Sequence, residues 1–312
     1  MQYRVLGKAN IKVSSLSFGA SALGGVFRPV VESEAVAAVH AALDLGINYF
    51  DVAPAYGGTL AEAVLGRALA GIPRRRYFLS TKVGKHTNLG KYGDDILDYS
   101  RQRIRLSLDE SARRLGVEYF DLVHLHDFEY QHRRHAEWAL SEGLAALHEL
   151  KREGRIGAVG CGIYPMDLWH RLIADCDIDA GLVHNHHCLN DVRLLELLPM
   201  ADRRNIGLIN AAPFASGLLT EHGPADWHPA PAAVRAVFQA AAVFCQAQGT
   251  SLSKLALQFA SQNPAIPTTM FSSASVEMVR ANVAWHEEPL DAAMASEVRK
   301  LLAPVSGRDW SY

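Results

Sequence analysis

Four side chains in the first half of the chain could move a proton if the fold brings them together: Asp51, Tyr56, Lys82 and His126. An ammonium close to a phenol favours the phenolate, so Lys82 is expected to draw the Tyr56 pKa downward. Asp51 would keep Lys82 charged and oriented, and His126 can hydrogen-bond both the phenol and a substrate oxygen. The spacing alone also fits a surface tyrosine with scattered ion pairs, so the case depends on what positions these residues.

The elements around them supply such a frame. Short β-branched or apolar runs alternate with longer amphipathic stretches, which argues for βα units and a parallel sheet covered by helices. Strands are expected at residues 16–21, 48–51, 76–82, 120–126, 156–162, 182–186, 206–212 and 268–272. A polar-tipped hairpin over 3–6 and 11–14 precedes them. Helices are expected at 31–45, 99–115, 136–151, 192–201, 233–246 and 253–261, with another beginning near Ser275. Eight strands joined by seven crossovers match a (β/α)8 TIM barrel with an N-terminal β-hairpin, although periodicity alone also allows an open doubly wound sheet. Asp51, Lys82 and His126 then fall at strand C-termini, and Tyr56 in the loop after Asp51, all at one end of the barrel. No linker interrupts the 312 residues, so residues 1–312 are expected to form one domain. The Gly- and Pro-rich pieces at 53–58, 83–97 and 213–231 become loops of the catalytic face, the last suited to gripping a ligand.

Bulk properties exclude several classes. The 31 Lys and Arg nearly balance 33 Asp and Glu, and no basic block suited to a phosphate backbone occurs, so no nucleic-acid partner is expected. No run of eighteen apolar residues predicts a membrane span, and Met1 leads straight into a patterned segment without a signal stretch. The four cysteines form no CxxC pair, so reduced thiols and a cytoplasmic location are expected, with Cys161 and Cys188 buried rather than nucleophilic.

The runs NYFDVAPAYG at 48–57, STK at 80–82 and FDLVHLHD at 120–127 resemble the aldo-keto reductases in motif and order. The resemblance implies that Asp51, Tyr56, Lys82 and His126 are the family's catalytic tetrad; His124 does not fit the family spacing and is expected to pack behind it. FGASALGGVFRPV at 18–30, YGGTLAEAVLGRAL at 56–69, LNDVRLLELLP at 189–199 and GLLTEHGPADWHPA at 217–230 resemble the plant-type L-galactose dehydrogenase branch of that family. This implies NAD-dependent oxidation of an aldose, foremost L-galactose, at C1 to an aldonolactone. The alternatives are an NADPH-dependent aldehyde or ketone reductase using the same tetrad, and a nonenzymatic cofactor sensor.

A dinucleotide fingerprint of the GxGxxG type is missing, so the cofactor site is read from the resemblance. Gly19, Ala20 and Ser21 would line the nicotinamide end. The loop Pro213, Phe214, Ala215, Ser216, Gly217, Leu218 would approach the pyrophosphate, and Ser272, Ser273 and Asn282 the adenosine half. Three family positions are altered: Gly162-Ile163 stand where a Ser-Asn pair usually holds the carboxamide, His184 where Gln is usual, and Ala211 where a tyrosine commonly stacks. His184 or Asn185 is expected to compensate. The position usually held by arginine in NADP-using members aligns with Met278, which implies NAD, with Arg280 as the opposing signal. Phe128, His187, Trp227 and His228 are the candidate sugar contacts. The histidines at 184, 186 and 187 lack further ligands at a fixed spacing, so no metal is expected.

Overall fold

The computed structural model describes residues 1–87 and 95–309. A two-stranded hairpin, β1 (Tyr3–Val5) and β2 (Lys12–Ser14), opens the chain. The barrel strands are β3 (Leu16–Gly19), β4 (Tyr49–Asp51), β5 (Phe78–Val83), β8 (Phe120–His126), β9 (Ile156–Ile163), β10 (Ala180–His184), β11 (Gly207–Ala211) and β12 (Thr268–Ser272). Each pairs in parallel with the next, and β12 returns to β3, with Phe271 opposite Phe18 and Ser272 opposite Gly19. The open-sheet alternative is thereby excluded. Between β5 and β8 lies a small antiparallel pair, β6 (Lys85–Thr87) and β7 (Asp95–Leu97). It falls within the expected catalytic-face loop at 83–97, of which 88–94 lie outside the described residues.

Helices α1 (Glu32–Asp44), α2 (Leu60–Leu69), α3 (Arg101–Leu115), α4 (Ala136–Trp138), α5 (Leu144–Arg152), α6 (Met166–Asp175) and α7 (Leu194–Arg203) cover the early strands. They are followed by α8 (Ala232–Ala247), α9 (Leu252–Ser261), α10 (Val276–Glu287) and α11 (Ala292–Leu301). The expected continuous helix at 136–151 is interrupted by a π-helical turn at Ala139–Gly143. Ser100, Ser251, Ser275 and Asp291 each accept a hydrogen bond from a first-turn N–H, which stops the respective helix from fraying at its start.

Strand alternation sorts side chains between two cores. Phe50, Leu79, Val123 and Leu125 face the helices, whereas Tyr49, Leu122, Ala158, Ile209 and Met270 fill the barrel interior. Leu6 and Val13 from the hairpin join that inner group, so β1 and β2 plug one end and leave the other for chemistry. The strand expected at 182–186 starts and stops two residues earlier. Its end is set by Asn185, whose φ of 63° leaves the extended region. Likewise β11 stops before Ala212, at φ 61°, and β3 stops at Gly19, where Ala20 begins a short 3-10 turn.

Candidate active site

The barrel register brings the four candidate side chains Asp51, Tyr56, Lys82 and His126 to one place. Asp51 lies opposite Ser80, Lys82 opposite His124, and His126 opposite Gly162. From Leu122 onward the even-numbered positions of β8 face inward with those of β5, so Ser80, Lys82, His124 and His126 stack up the interior. Ser80, which opens the STK run but was given no role of its own, donates to Asp51 Oδ1 at 2.6 Å and is itself 2.8 Å from the Tyr49 hydroxyl. Asp51 Oδ2 takes the Lys82 ammonium, which also donates to the Val52 carbonyl at 3.0 Å. Both charges of this pair are buried, so neither can be removed without stranding the other.

Tyr56 is carried on a turn held by close backbone contact. Gly57 has a φ of 60°, and a Cβ at Gly24 would stand 2.7 Å from the Tyr56 carbonyl oxygen. Only residues without side chains let these two segments meet. The Tyr56 ring then lies 4.7 Å from Lys82 Nζ and 5.9 Å, edge-on, from the His126 ring.

Electrostatics correct one expectation. Burial raises the Tyr56 pKa; the Lys82 charge opposes the rise without overcoming it, so the phenol is protonated at neutral pH. Burial also works to depress Lys82, but Asp51 and Tyr56 outweigh it and hold the ammonium above its ordinary value. Burial drives His126 well below the usual imidazole range, leaving a neutral ring whose Nδ1 has no partner among the described residues. Tyr99 donates to the His126 carbonyl at 2.6 Å and steadies that strand end. His124 is fully buried, and burial pushes its pKa down to about 3. A Cβ on Gly160 would come within 2.8 Å of its Cε1, so His124 packs inside the barrel as expected.

A cavity of about 130 Å³ opens above the tetrad. Ser21, Tyr56, Lys82, His126, Gly162, His184, Ser216 and Trp227, all singled out in the sequence, line it. So do Lys85, Asp127, Glu129, Tyr130 and Tyr164, which sequence reasoning missed. Strand parity from His126 points to Phe128 and away from Asp127 and Glu129, which reach the cavity only through the left-handed turn at Asp127. A larger cavity of about 470 Å³, between Phe259, Leu290, Arg299 and Ser306, contains none of the tetrad.

The candidate sugar contacts separate. Trp227 lines the cavity, with Nε1 donating to the Val26 carbonyl at 3.0 Å and its ring 6.2 Å from Phe27. Phe128 does not: it is fully buried and packs edge-on against Tyr99 at 6.4 Å. His187 stacks on Phe259 at 5.5 Å, away from the cavity lining, because the turn at Asn185 redirects the chain. His228 lies buried behind Trp227 and accepts from the Ala230 N–H at 3.1 Å.

The cofactor candidates form a continuous rim. Ser272 accepts from the Ala22 N–H at 2.8 Å and the Ser21 hydroxyl at 3.0 Å, joining the end of β12 to the turn after Gly19. Ala20 is buried in the core, so any contact from it would be through its backbone. In the loop from Pro213, Ala215 and Leu218 pack inward, while Phe214 lies half-buried. Left-handed φ at Ala212, Ala215, Ser216 and Gly217 turns Ser216 toward the cavity. Asn185 donates to Ser216 Oγ at 3.2 Å, leaving its buried Oδ1 unpartnered, and His184 Nε2 is 3.4 Å from the same hydroxyl. Ala211 is buried in the barrel interior and its carbonyl accepts from the Asn185 N–H at 3.1 Å. Further along, Ser273 accepts from the Ser275 N–H at 3.1 Å, Met278 is half-buried on the first turn of α10, and Asn282 is buried with Oδ1 unpartnered. Of the three asparagine amide oxygens without a partner among the described residues, those of Asn185 and Asn282 lie in this rim and fit a ligand that offers an amide donor at one end and an amino donor at the other, as a nicotinamide dinucleotide does.

Comparisons with known proteins agree. L-galactose dehydrogenase of Arabidopsis thaliana is 39% identical over 319 residues, covering 99% of this chain and 97% of that protein. D-threo-aldose 1-dehydrogenase of a Pseudomonas species is 33% identical over 69% of this chain and 70% of its own. An aldo-keto reductase of Bacillus halodurans, solved in its holo form, superposes with a TM-score of 0.78 at 28% identity over 96% of both chains. The model of the Aldo/keto reductase family, oxidoreductases that use a nicotinamide cofactor, matches residues 15–303. The chain belongs to the aldo/keto reductase family.

Proposed function

We propose that this oxidoreductase is an NAD-dependent aldose 1-dehydrogenase acting on L-galactose. The observation that carries the reading is the character of the cavity wall: a buried tyrosine–lysine–histidine centre faces Lys85, Asp127, Glu129 and His184. Such a wall suits a substrate covered in hydroxyls better than an aliphatic carbonyl compound, because each missing hydroxyl leaves a buried group unsatisfied. The near full-length likeness to L-galactose dehydrogenase supports the same choice.

In this reading the cyclic hemiacetal places its C1 hydroxyl between Tyr56 and His126. Tyr56, once deprotonated, takes the hydroxyl proton, and Lys82 stabilises the phenolate that makes this transfer accessible. Neutral His126 holds the same oxygen and fixes its direction, while Asp51 and Ser80 keep Lys82 in place. Asn185, Ser216 and Ser21 would hold the nicotinamide end of the cofactor, and Ser273 and Asn282 the adenosine end. Bound there, the oxidised nicotinamide supplies the acceptor for the C1 hydride. The product is an aldonolactone. Met278, which offers no charge to a 2′-phosphate, supports NAD. Initial rates on L- and D-aldoses with NAD and NADP, together with product identification, test the reading; reduction of nonsugar carbonyls without any aldose oxidation would reject it.

A further inference from the structure

The turn after His126 builds a second functional wall. Asp127 takes a left-handed φ of 49°, its N–H donates to the Gly162 carbonyl at 3.0 Å, and the Tyr130 N–H closes back on the Asp127 carbonyl at 3.2 Å. This sends Phe128 into the core and leaves Asp127 and Glu129 on the cavity.

The two carboxylates are not equivalent. Asp127 bonds Lys85 Nζ at 2.7 Å, and Lys85 is further committed to Asp95 at 3.1 Å and to the face of Tyr130 at 4.0 Å. Glu129 Oε1 accepts from the Tyr164 N–H at 2.8 Å, but its buried Oε2 meets no hydrogen-bond partner among the described residues. A buried carboxyl oxygen without a partner is costly, and the cost is recovered only if a ligand supplies one. Burial, and then the charge of Asp127, raise the Glu129 pKa to about 8, so at neutral pH it is a carboxylic acid with a proton to donate.

We propose that Glu129 is a specificity-determining residue whose Oε2 bonds a sugar hydroxyl other than the one on C1. The C1 oxygen is already claimed by Tyr56 and His126. A neutral acid can both donate to and accept from a hydroxyl, and so rejects an analogue in which that hydroxyl is absent. The inference rests on the aldose oxidation proposed above.

The charged and titratable groups around Glu129 are Asp127, Lys85, Tyr99, Cys161 and Arg133, with the Tyr130 and Tyr164 phenols alongside. Asp127 is held at about 2: burial acts to raise it, but His126 and Lys85 prevail. Burial raises Tyr99 and Cys161, and carboxylate partners raise Lys85 and Arg133. None of these five titrates near the value of about 8 given for Glu129.

The test compares wild type, Glu129→Ala and Glu129→Gln on L-galactose and its 2-, 3-, 4- and 6-monodeoxy analogues, with folding checked by thermal melting. Glu129→Ala is expected to lower kcat/KM for L-galactose by about tenfold or more, chiefly through KM. It should also abolish the preference for L-galactose over one particular deoxy analogue. Wild-type KM should rise above pH 8 as Glu129 ionises. Glu129→Gln, which retains a donor and cannot ionise, should lose less and show a flat KM through the same range. If wild type oxidises L-galactose while folded Glu129→Ala keeps its KM and its ranking of analogues, this inference alone falls. A wild type that oxidises no aldose overturns the proposed function and this inference with it.

Discussion

Lys82 Nζ bonds the Asp51 carboxylate while lying 4.7 Å from the centroid of the Tyr56 ring. One ammonium therefore serves two partners: Asp51 keeps it charged in a buried setting, and its charge offsets part of the burial that makes the Tyr56 proton hard to remove. Tyr56→Phe keeps the ring and deletes the hydroxyl proposed to transfer the proton. Turnover should fall by about 10²–10⁴ while cofactor binding stays close to wild type. Steady-state kinetics with a cofactor titration check this, and near-normal turnover in a folded variant would remove Tyr56 from the chemistry.

The pH dependence has a defined sign. Oxidation needs Tyr56 deprotonated, and burial places its pKa above the ordinary phenol value. Sugar oxidation should therefore increase from acidic into alkaline pH. Lys82→Met removes the charge that opposes the burial effect, so the rising limb should move to higher pH and the neutral-pH rate should drop. Where chemistry limits the rate, a limb unmoved by the substitution would deny Lys82 this role.

The alternation of strands and helices made the barrel legible and put Asp51, Lys82 and His126 at strand ends, but spacing left their role open and the family resemblance of the runs around them supplied it. Residues beyond the strands were harder to read. Phe128 follows His126 by two, which continues the strand's parity, but the left-handed turn at Asp127 inverts it and exposes Glu129 instead. His187 lies beyond the positive φ at Asn185 that ends β10, and it stacks on Phe259 rather than lining the cavity. Helices α2, α6 and α11, each of ten residues, were not among the helices expected from the sequence. The raised Tyr56 pKa depends on the depth of burial, which spacing does not encode.

Cofactor choice should follow the first turn of α10. Met278 is half-buried there, with exposed Glu277 before it and exposed Arg280 after it. The protein should bind NAD more tightly than NADP, and Met278→Arg should narrow the gap by about tenfold, in keeping with a charge-assisted hydrogen bond. Separate titrations and initial rates at saturating sugar measure this. A wild type with the higher kcat/KM for NADP would shift the assignment to Arg280.

The central claim is oxidation at C1 of an aldose, and deuterium at that carbon tests it most directly. With L-galactose deuterated at C1 and NAD, the label should be recovered in the reduced cofactor, the sugar product should be the unlabelled lactone, and the rate should fall when chemistry is limiting. Reduced cofactor without the label, or no cofactor reduction by L-galactose at any pH where the protein is folded, would contradict the account.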